Sequence, residues 1–171
     1  MSLGFVIVRV LHILLGAFWA GTLIFNALFL APALGEAGPD GAKVMAGVQR
    51  RRFMDVLPIV ALLTILSGVW LYWRASGGFN AAWSRSPMGM AYGMGGILAI
   101  VAFGIGVGVL RPAMKRIGQL AAGAATEPDL TTREGLVHQV AGLRRRAAAA
   151  GKAVAILLAL ATILMGAARY L

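Results

Sequence analysis

Four long apolar stretches, separated by polar segments, dominate the pattern of hydrophobic and polar positions along the chain. They cover about residues 3–30, 53–73, 88–110 and 153–170. Each approaches or exceeds the length of about 20 residues that a helix needs to cross about 30 Å of hydrocarbon. Because backbone groups in lipid must form hydrogen bonds within the protein, helices are the expected form. The pattern therefore predicts an all-α, four-transmembrane-helix bundle that forms a single membrane domain over residues 1–171.

The segment between the third and fourth spans, residues 111–152, has a helical composition of its own. Its first half is rich in Ala, Leu, Lys and Arg and contains Pro112, which predicts a kink near the membrane surface. After a Thr-Glu-Pro-Asp break, Thr131 and Glu134 predict a capping box at the start of a second helix. No proline follows before Tyr170. We therefore expect spans three and four to extend as a cytoplasmic helical hairpin.

Composition agrees with a membrane protein. The 171 residues are 60% hydrophobic and only 13% charged, with a mean hydropathy of +0.82, whereas soluble domains are about 45–50% apolar and about 25% charged. The chain has no cysteine, which excludes disulfides, thiolate metal sites and cysteine catalysis. It also lacks a nucleotide loop, a nucleophile–base pair and paired carboxylates. No catalytic residue is assigned, and the sequence leaves open whether the chain is an enzyme.

The net charge of +10 has a topological explanation. Twelve of the 16 Lys and Arg residues lie between spans one and two or between spans three and four. The positive-inside rule places these segments in the cytoplasm and both termini outside, in a bacterial inner (plasma) membrane. Within the segment between spans one and two, residues 35–41 contain Gly, Pro and Asp and predict a plain turn. The basic segments lack interleaved aromatics, so we expect anionic lipid headgroups as partners of the hairpin and no nucleic acid.

Polar groups inside apolar spans are the candidates for chemistry, because they are costly there and usually functional. In span one, His12, Trp19 and Asn26 recur every seven residues and share one helical stripe. Gly16 lies one turn from His12 and leaves space beside the imidazole. Histidine binds metals and haem iron, so His12 is either such a ligand or a hydrogen-bonded packing residue. His138 lies in the hairpin and cannot share its site, which excludes a bis-histidine haem within one chain.

Span three enters the membrane from the same side as span one with three methionines among seven residues, Met88, Met90 and Met94. Thioethers suit Cu(I), and Met with His is also a haem-iron pair; the alternative is that these residues are flexible apolar fillers. The predicted depth of Met90 and Met94 matches that of His12. The predicted sets are therefore His12, Met90 and Met94 for a metal, and His12, Gly16, Trp19 and Met94 for a cofactor.

Two further features have structural interpretations. Asp55, near the start of span two, predicts an ion pair or a hydrogen bond at the helix end, where Arg51 and Arg52 are close in sequence. Gly104-x-x-x-Gly108 in span three predicts close helix contacts. These contacts are either internal or with a second copy or another membrane subunit.

The sequence of residues 10–21, VLHILLGAFWAG, has a His followed seven residues later by Trp and then by small residues. This segment resembles the first helix of CopD-like membrane proteins, and a vaguer similarity runs through residues 63–73. It is also similar to the first helix of the HemJ-type, haem-associated protoporphyrinogen oxidase. The resemblance implies copper handling or a b-type haem, with His12 as the carried-over position.

Three functions remain open at this point. The chain is a binding or transport protein that holds copper or haem in an outer-leaflet site, a haem b redox subunit that transfers electrons, or a scaffold or assembly subunit without a cofactor.

Overall fold

A computed structural model describes residues 2–171, apart from the side chain of Pro39. The described residues form helices and short turns, with no β-strand among them. Four helical units are long and apolar enough to cross a membrane: Leu3–Glu36, Phe53–Ala75, Pro87–Thr126 and Leu130–Tyr170. They confirm the predicted all-α fold with four candidate spans and indicate a multi-pass membrane protein.

The helices are numbered in chain order. They are α1 (Leu3–Phe25), α2 (Ala31–Glu36), α3 (Gly38–Arg50), α4 (Phe53–Ala75), α5 (Ala81–Ser84), α6 (Pro87–Ile105), α7 (Arg111–Thr126) and α8 (Leu130–Ala167). Two π-helical turns, Asn26–Leu30 and Gly106–Leu110, join α1 to α2 and α6 to α7 without a break. A short 3-10 turn, Ala168–Tyr170, follows α8.

Each π-helical turn lies directly before an x-Pro pair, at Pro32 and at Pro112. A proline inside a helix has no N–H to donate, and its ring crowds the carbonyl group four residues earlier. The wider π turn, in which the N–H of the following residue bonds five residues back, relieves this crowding. The chain therefore accommodates Pro112 by local widening of a continuous helix.

The spanning helices pack in a ring. α1 lies along α4 and α8, and α6 also lies along α4 and α8; within the described residues α1 and α6 share no extended contact, so they are diagonal to each other. Small buried side chains allow the helix backbones to approach closely. The central core takes residues from all four spans: Trp19, Ala61, Ala102, Val154 and Leu158.

α7 and the first half of α8 continue beyond the apolar spans as an antiparallel pair. Their contact is a second, smaller core formed by Ile117, Val140 and Ala147. α8 runs without interruption from Leu130 to Ala167, as the absence of proline predicts. At 1.5 Å per residue its 38 residues extend about 57 Å, nearly twice the hydrocarbon thickness. A two-helix hairpin therefore protrudes from one end of the bundle.

The start of α8 differs from the prediction. Asp129 is the N-cap residue, and its carboxylate accepts a hydrogen bond from the Thr132 N–H at 2.8 Å. The predicted capping box of Thr131 and Glu134 is therefore wrong, because the helix begins at Leu130 and both residues already lie inside it. Its carboxylate carries a lowered pKa, since hydrogen bonds from Thr132 stabilise the ionised form.

The predicted plain turn over residues 35–41 is also wrong, because most of this segment is helical. Only Ala37 separates α2 from α3. Gly38 has a φ of +55°, a left-handed conformation that favours glycine, and a Cβ at Gly41 would collide with the Leu34 carbonyl. Gly38 and Gly41 therefore permit a tight turn at Ala37, so that α3 follows α2 almost directly.

Asp55 forms its ion pair with neither Arg51 nor Arg52. Arg111, at the start of α7, donates to the Asp55 carboxylate at 2.9 Å. Arg51 and Arg52 are exposed and form no ion pair among the described residues. The pair joins α4 to the root of the hairpin, across the bundle rather than along the chain.

The close helix contacts of span three lie away from Gly104 and Gly108. A Cβ at either position would meet open space, so the predicted internal contacts are absent there. A Cβ at Gly95, by contrast, would lie 2.9 Å from Cγ of Met165. The close contact between α6 and α8 at Gly95 and Met165 therefore lies toward the C-terminal end of α8.

Candidate functional site

α1 places His12 on the side of the helix that faces α4. His12 is nine residues beyond Leu3, or about 14 Å along the helix axis. Its side chain is half-buried, and Trp19, on the same stripe two turns further, is only 3% exposed. The seven-residue spacing correctly predicts that this stripe faces the interior. Asn26, the third member, is half-buried and begins the π-helical turn.

The His12 imidazole is anchored through Nδ1. This nitrogen lies 2.9 Å from the carbonyl oxygen of Thr64 and 3.1 Å from Oγ of Ser67, both on α4. A carbonyl oxygen can only accept, so Nδ1 carries the proton and donates it. In the neutral imidazole the other nitrogen, Nε2, then has a free lone pair.

The polar groups around the imidazole are satisfied within α4. The single proton of the Ser67 hydroxyl lies within reach of two carbonyls, those of Leu63 at 2.7 Å and Thr64 at 3.0 Å. Donation to the nearer Leu63 carbonyl leaves the hydroxyl oxygen to accept from Nδ1–H. The Thr64 hydroxyl donates to the Val60 carbonyl at 2.8 Å. In the described part of the chain, no protein group hydrogen-bonds to Nε2. The site therefore fixes the tautomer and leaves one nitrogen unused.

Gly68 makes this arrangement sterically possible. A Cβ at position 68 would lie 2.8 Å from Cε1 of His12, closer than real carbon atoms approach. The imidazole thus rests against bare backbone, where it reaches the second lone pair of the Thr64 carbonyl. Gly16 is less critical, since a Cβ there would make an ordinary contact of 3.5 Å with the Thr64 methyl group.

Thr64, Ser67 and Gly68 are functional candidates that sequence reasoning missed. They form an i, i+3, i+4 set of small or polar residues on one face of an otherwise apolar span. Thr64 is 6% exposed, and Ser67 and Gly68 are half-buried. This spacing is the signal that could have identified them as the surface opposite His12.

The methionines of span three lie elsewhere. Met90 and Met94 are 52% and 50% exposed on α6, which is diagonal to α1. A ligand pair of His12 with either of them stays a prediction. A third methionine, Met165 on α8, is half-buried and packs on Gly95. Met88, at the start of α6, is also half-buried.

The donor set favours one kind of cofactor over another. Among the described residues, no group of three or more His, Cys, Asp or Glu side chains could together hold a metal ion. A Cu(I) site would need further soft ligands beside His12. A haem needs only one proximal histidine, since the porphyrin supplies the other four nitrogens. A single oriented imidazole with a free Nε2 fits that requirement.

The second histidine has a different setting. His138 is exposed on α8, in a hairpin groove of about 420 Å³ that also contains Arg133 and Glu134. It lies outside the apolar span of its helix. This position agrees with the expectation that the two histidines share no site.

Aromatic contacts join neighbouring helices at the end of the bundle that is remote from the hairpin. Phe5 and Trp70 lie with ring centroids 6.2 Å apart across α1 and α4, above His12. Tyr72 packs edge-on against Trp83 at 5.2 Å and donates to the Gly89 carbonyl at 3.3 Å. These contacts tie α4 to α1 on one side and to α6 on the other.

Comparisons of the chain with protein-family models, with curated proteins and with solved structures find no match. The resemblance of residues 10–21 to CopD-like and HemJ-type first helices therefore stays a prediction, and the function must be argued from the site around His12.

Proposed function

We propose that this chain is a membrane protein that binds a b-type haem, with Nε2 of His12 as the axial ligand of the iron. The observation that carries the proposal is the hydrogen bond from Nδ1 to the Thr64 carbonyl. Histidines that bind metals usually donate their second nitrogen to a carbonyl or carboxylate group, which sets the tautomer and makes the ligand nitrogen more basic. His12 has this arrangement inside an apolar span.

Each residue of the site has a definite task in this proposal. Thr64 and Ser67 hold the imidazole plane and keep the proton on Nδ1. Gly68 provides the space that Cε1 of the ring needs beside α4. Haem supplies one-electron chemistry when bound, so the most direct function is that of an electron-transfer subunit.

Haem is preferred to copper because of the ligand count. His12 alone would supply a protein ligand for haem, whereas a copper site would also need Met90 or Met94, which are half-exposed on α6, the helix diagonal to α1. The CopD-like copper-handling function is the second candidate, and the density of methionines on α6 favours it. A cofactor-free scaffold is the third.

Absorption and metal analysis of the purified chain separate these functions. We expect protein from haem-replete cells to show a Soret band and about one iron per chain. A colourless protein with stoichiometric copper would instead support the copper function. A protein that is colourless and metal-free after both haem and copper supplementation would contradict both and leave the scaffold.

We further propose that both termini lie outside a bacterial inner membrane and that the hairpin is cytoplasmic. The support is the concentration of basic residues at the hairpin end of the bundle. Reporter fusions after Tyr170 and after Ala37 should then report opposite sides. Signals from the same side would refute this topology.

A further inference from the structure

A groove opens between the two helices of the hairpin, near the bundle. It has a volume of about 550 Å³ and is lined by one residue from α7 and five from α8: Arg116, Gln139, Gly142, Leu143, Arg145 and Arg146. Three guanidinium groups from two helices therefore line one concave surface. The groove is remote from His12, so an inference about it is independent of the proposed haem site.

The charge of this groove is uncompensated within the protein. Among the described residues the ion pairs are Lys43 with Asp40 and Asp55 with Arg111, and neither involves a groove residue. The nearest carboxylate along α8 is Glu134, eleven residues or about 16 Å before Arg145. Like charges held together repel each other, so the groove favours an anion.

The end of the groove nearer the membrane lies within reach of the phosphate layer of a bilayer. Arg116 lies six residues beyond Leu110 and Arg146 seven before Ala153, where the apolar spans end. Both are therefore about 10 Å beyond the hydrocarbon edge. The headgroup region occupies about 5–8 Å on each side of the hydrocarbon. Arginine side chains are long enough to reach back into it.

We propose that this groove binds the phosphate of an anionic phospholipid headgroup. Guanidinium groups pair bidentately with phosphate oxygens, and basic pockets between helices at the membrane surface are suited to such headgroups. Gln139 and Leu143 line the part of the groove further from the membrane, about 21 Å and about 15 Å before Ala153 along α8. The sequence predicts only diffuse attraction of the basic hairpin to anionic lipid; the groove predicts a saturable site.

Native mass spectrometry of the delipidated full chain tests the proposal, with phosphatidylglycerol as the probe and phosphatidylcholine as the neutral reference. We expect saturable binding of phosphatidylglycerol. The double variant Arg116→Gln/Arg145→Gln should weaken it at least tenfold. The matched control Lys115→Gln/Arg144→Gln removes the same charge from adjacent positions outside the groove lining and should change binding less than threefold.

A milder variant keeps the test decisive if the double variant fails to fold. Arg116→Lys retains the positive charge at the membrane-side end of the groove and should weaken phosphatidylglycerol binding about threefold, because an ammonium group cannot pair bidentately with phosphate, without altering the helical circular dichroism spectrum. Equal losses in both double variants would show diffuse attraction and overturn the proposal. Non-saturable binding to the native chain, or equal affinity for inorganic phosphate, would also overturn it; the latter result would assign the groove to soluble anions.

Discussion

The two histidines of this chain occupy regions with opposite physical conditions. His12 lies in an apolar span, where water is excluded, and a carbonyl of the neighbouring helix holds its Nδ1 at 2.9 Å. His138 lies on the exposed hairpin beside Arg133 and Glu134, where water can hydrate both ring nitrogens. The same side chain is thus held in one orientation by hydrogen bonds in one region and is an exposed surface group in the other.

The charged groups show the same contrast. At the root of the hairpin, Asp55 and Arg111 neutralise each other at 2.9 Å. Further along the hairpin, Arg116, Arg145 and Arg146 have no protein counterion among the described residues. The carboxylate of Asp55 is therefore paired within the protein, whereas these three guanidinium groups are not, in the part of the chain that the structure describes. Perturbations of the two regions should therefore differ in size.

The largest effect on the proposed site is expected where α4 contacts the His12 ring. Gly68→Ala places a methyl group 2.8 Å from Cε1 of His12 and should displace the imidazole from the Thr64 carbonyl. Loss of such an outer-shell contact typically weakens metal binding about 10- to 100-fold, so we expect haem affinity to fall by that factor in a spectroscopic titration.

Gly96→Ala is the matched control for Gly68→Ala. It adds the same methyl group to a half-buried glycine of α6 where a Cβ meets open space. Its haem affinity should remain near that of the native chain. If both variants retain native affinity, the contact between Gly68 and His12 does not control the site.

A smaller and purely local effect is expected in the hairpin. Asp129→Ala removes the acceptor of the Thr132 N–H and should raise hydrogen exchange severalfold in the first turn of α8 while leaving the bundle unchanged. Asp129→Asn retains an acceptor and should preserve most of the protection. Exchange that is equal in Asp129→Ala and in the native chain would show that the cap contributes nothing.

The pH dependence of this cap has a definite sign. Hydrogen bonds from Thr132 lower the pKa of Asp129, so the ionised carboxylate stabilises the helix start at neutral pH. Its contribution is present above the pKa of an unfolded aspartate and is lost as the pH falls through the lowered folded value. Protection of the first turn of α8 should therefore decrease only in acid, below the usual range for aspartate.

The sequence predicts the regular part of this fold well. Span length and hydropathy locate all four candidate spans, and the absence of proline predicts the unbroken α8. The irregular parts depend on competition between neighbours. Asp129 is the cap because α8 begins at Leu130, one residue before Thr131. Ala37 is the only residue of the predicted turn outside a helix, and Gly38 and Gly41 permit the short connection there.

The candidate site is predictable in part. The stripe through His12 and Trp19 follows from helical periodicity alone. Periodicity does not predict which helix faces that stripe, because it fixes the direction of a side chain on its own helix but not the order of helices around the bundle. The partner is α4, with Thr64, Ser67 and Gly68, whereas depth matching alone pointed to Met90 and Met94 on α6.

The most direct test of the haem proposal is chemical rescue of the axial ligand. His12→Gly removes the imidazole, and we expect the purified variant to lose the haem spectrum and to regain it when free imidazole is added. His138→Gly is the control and should keep the native spectrum without imidazole. Haem that remains bound to the His12→Gly variant with an unchanged spectrum would contradict the assignment of His12 as the iron ligand.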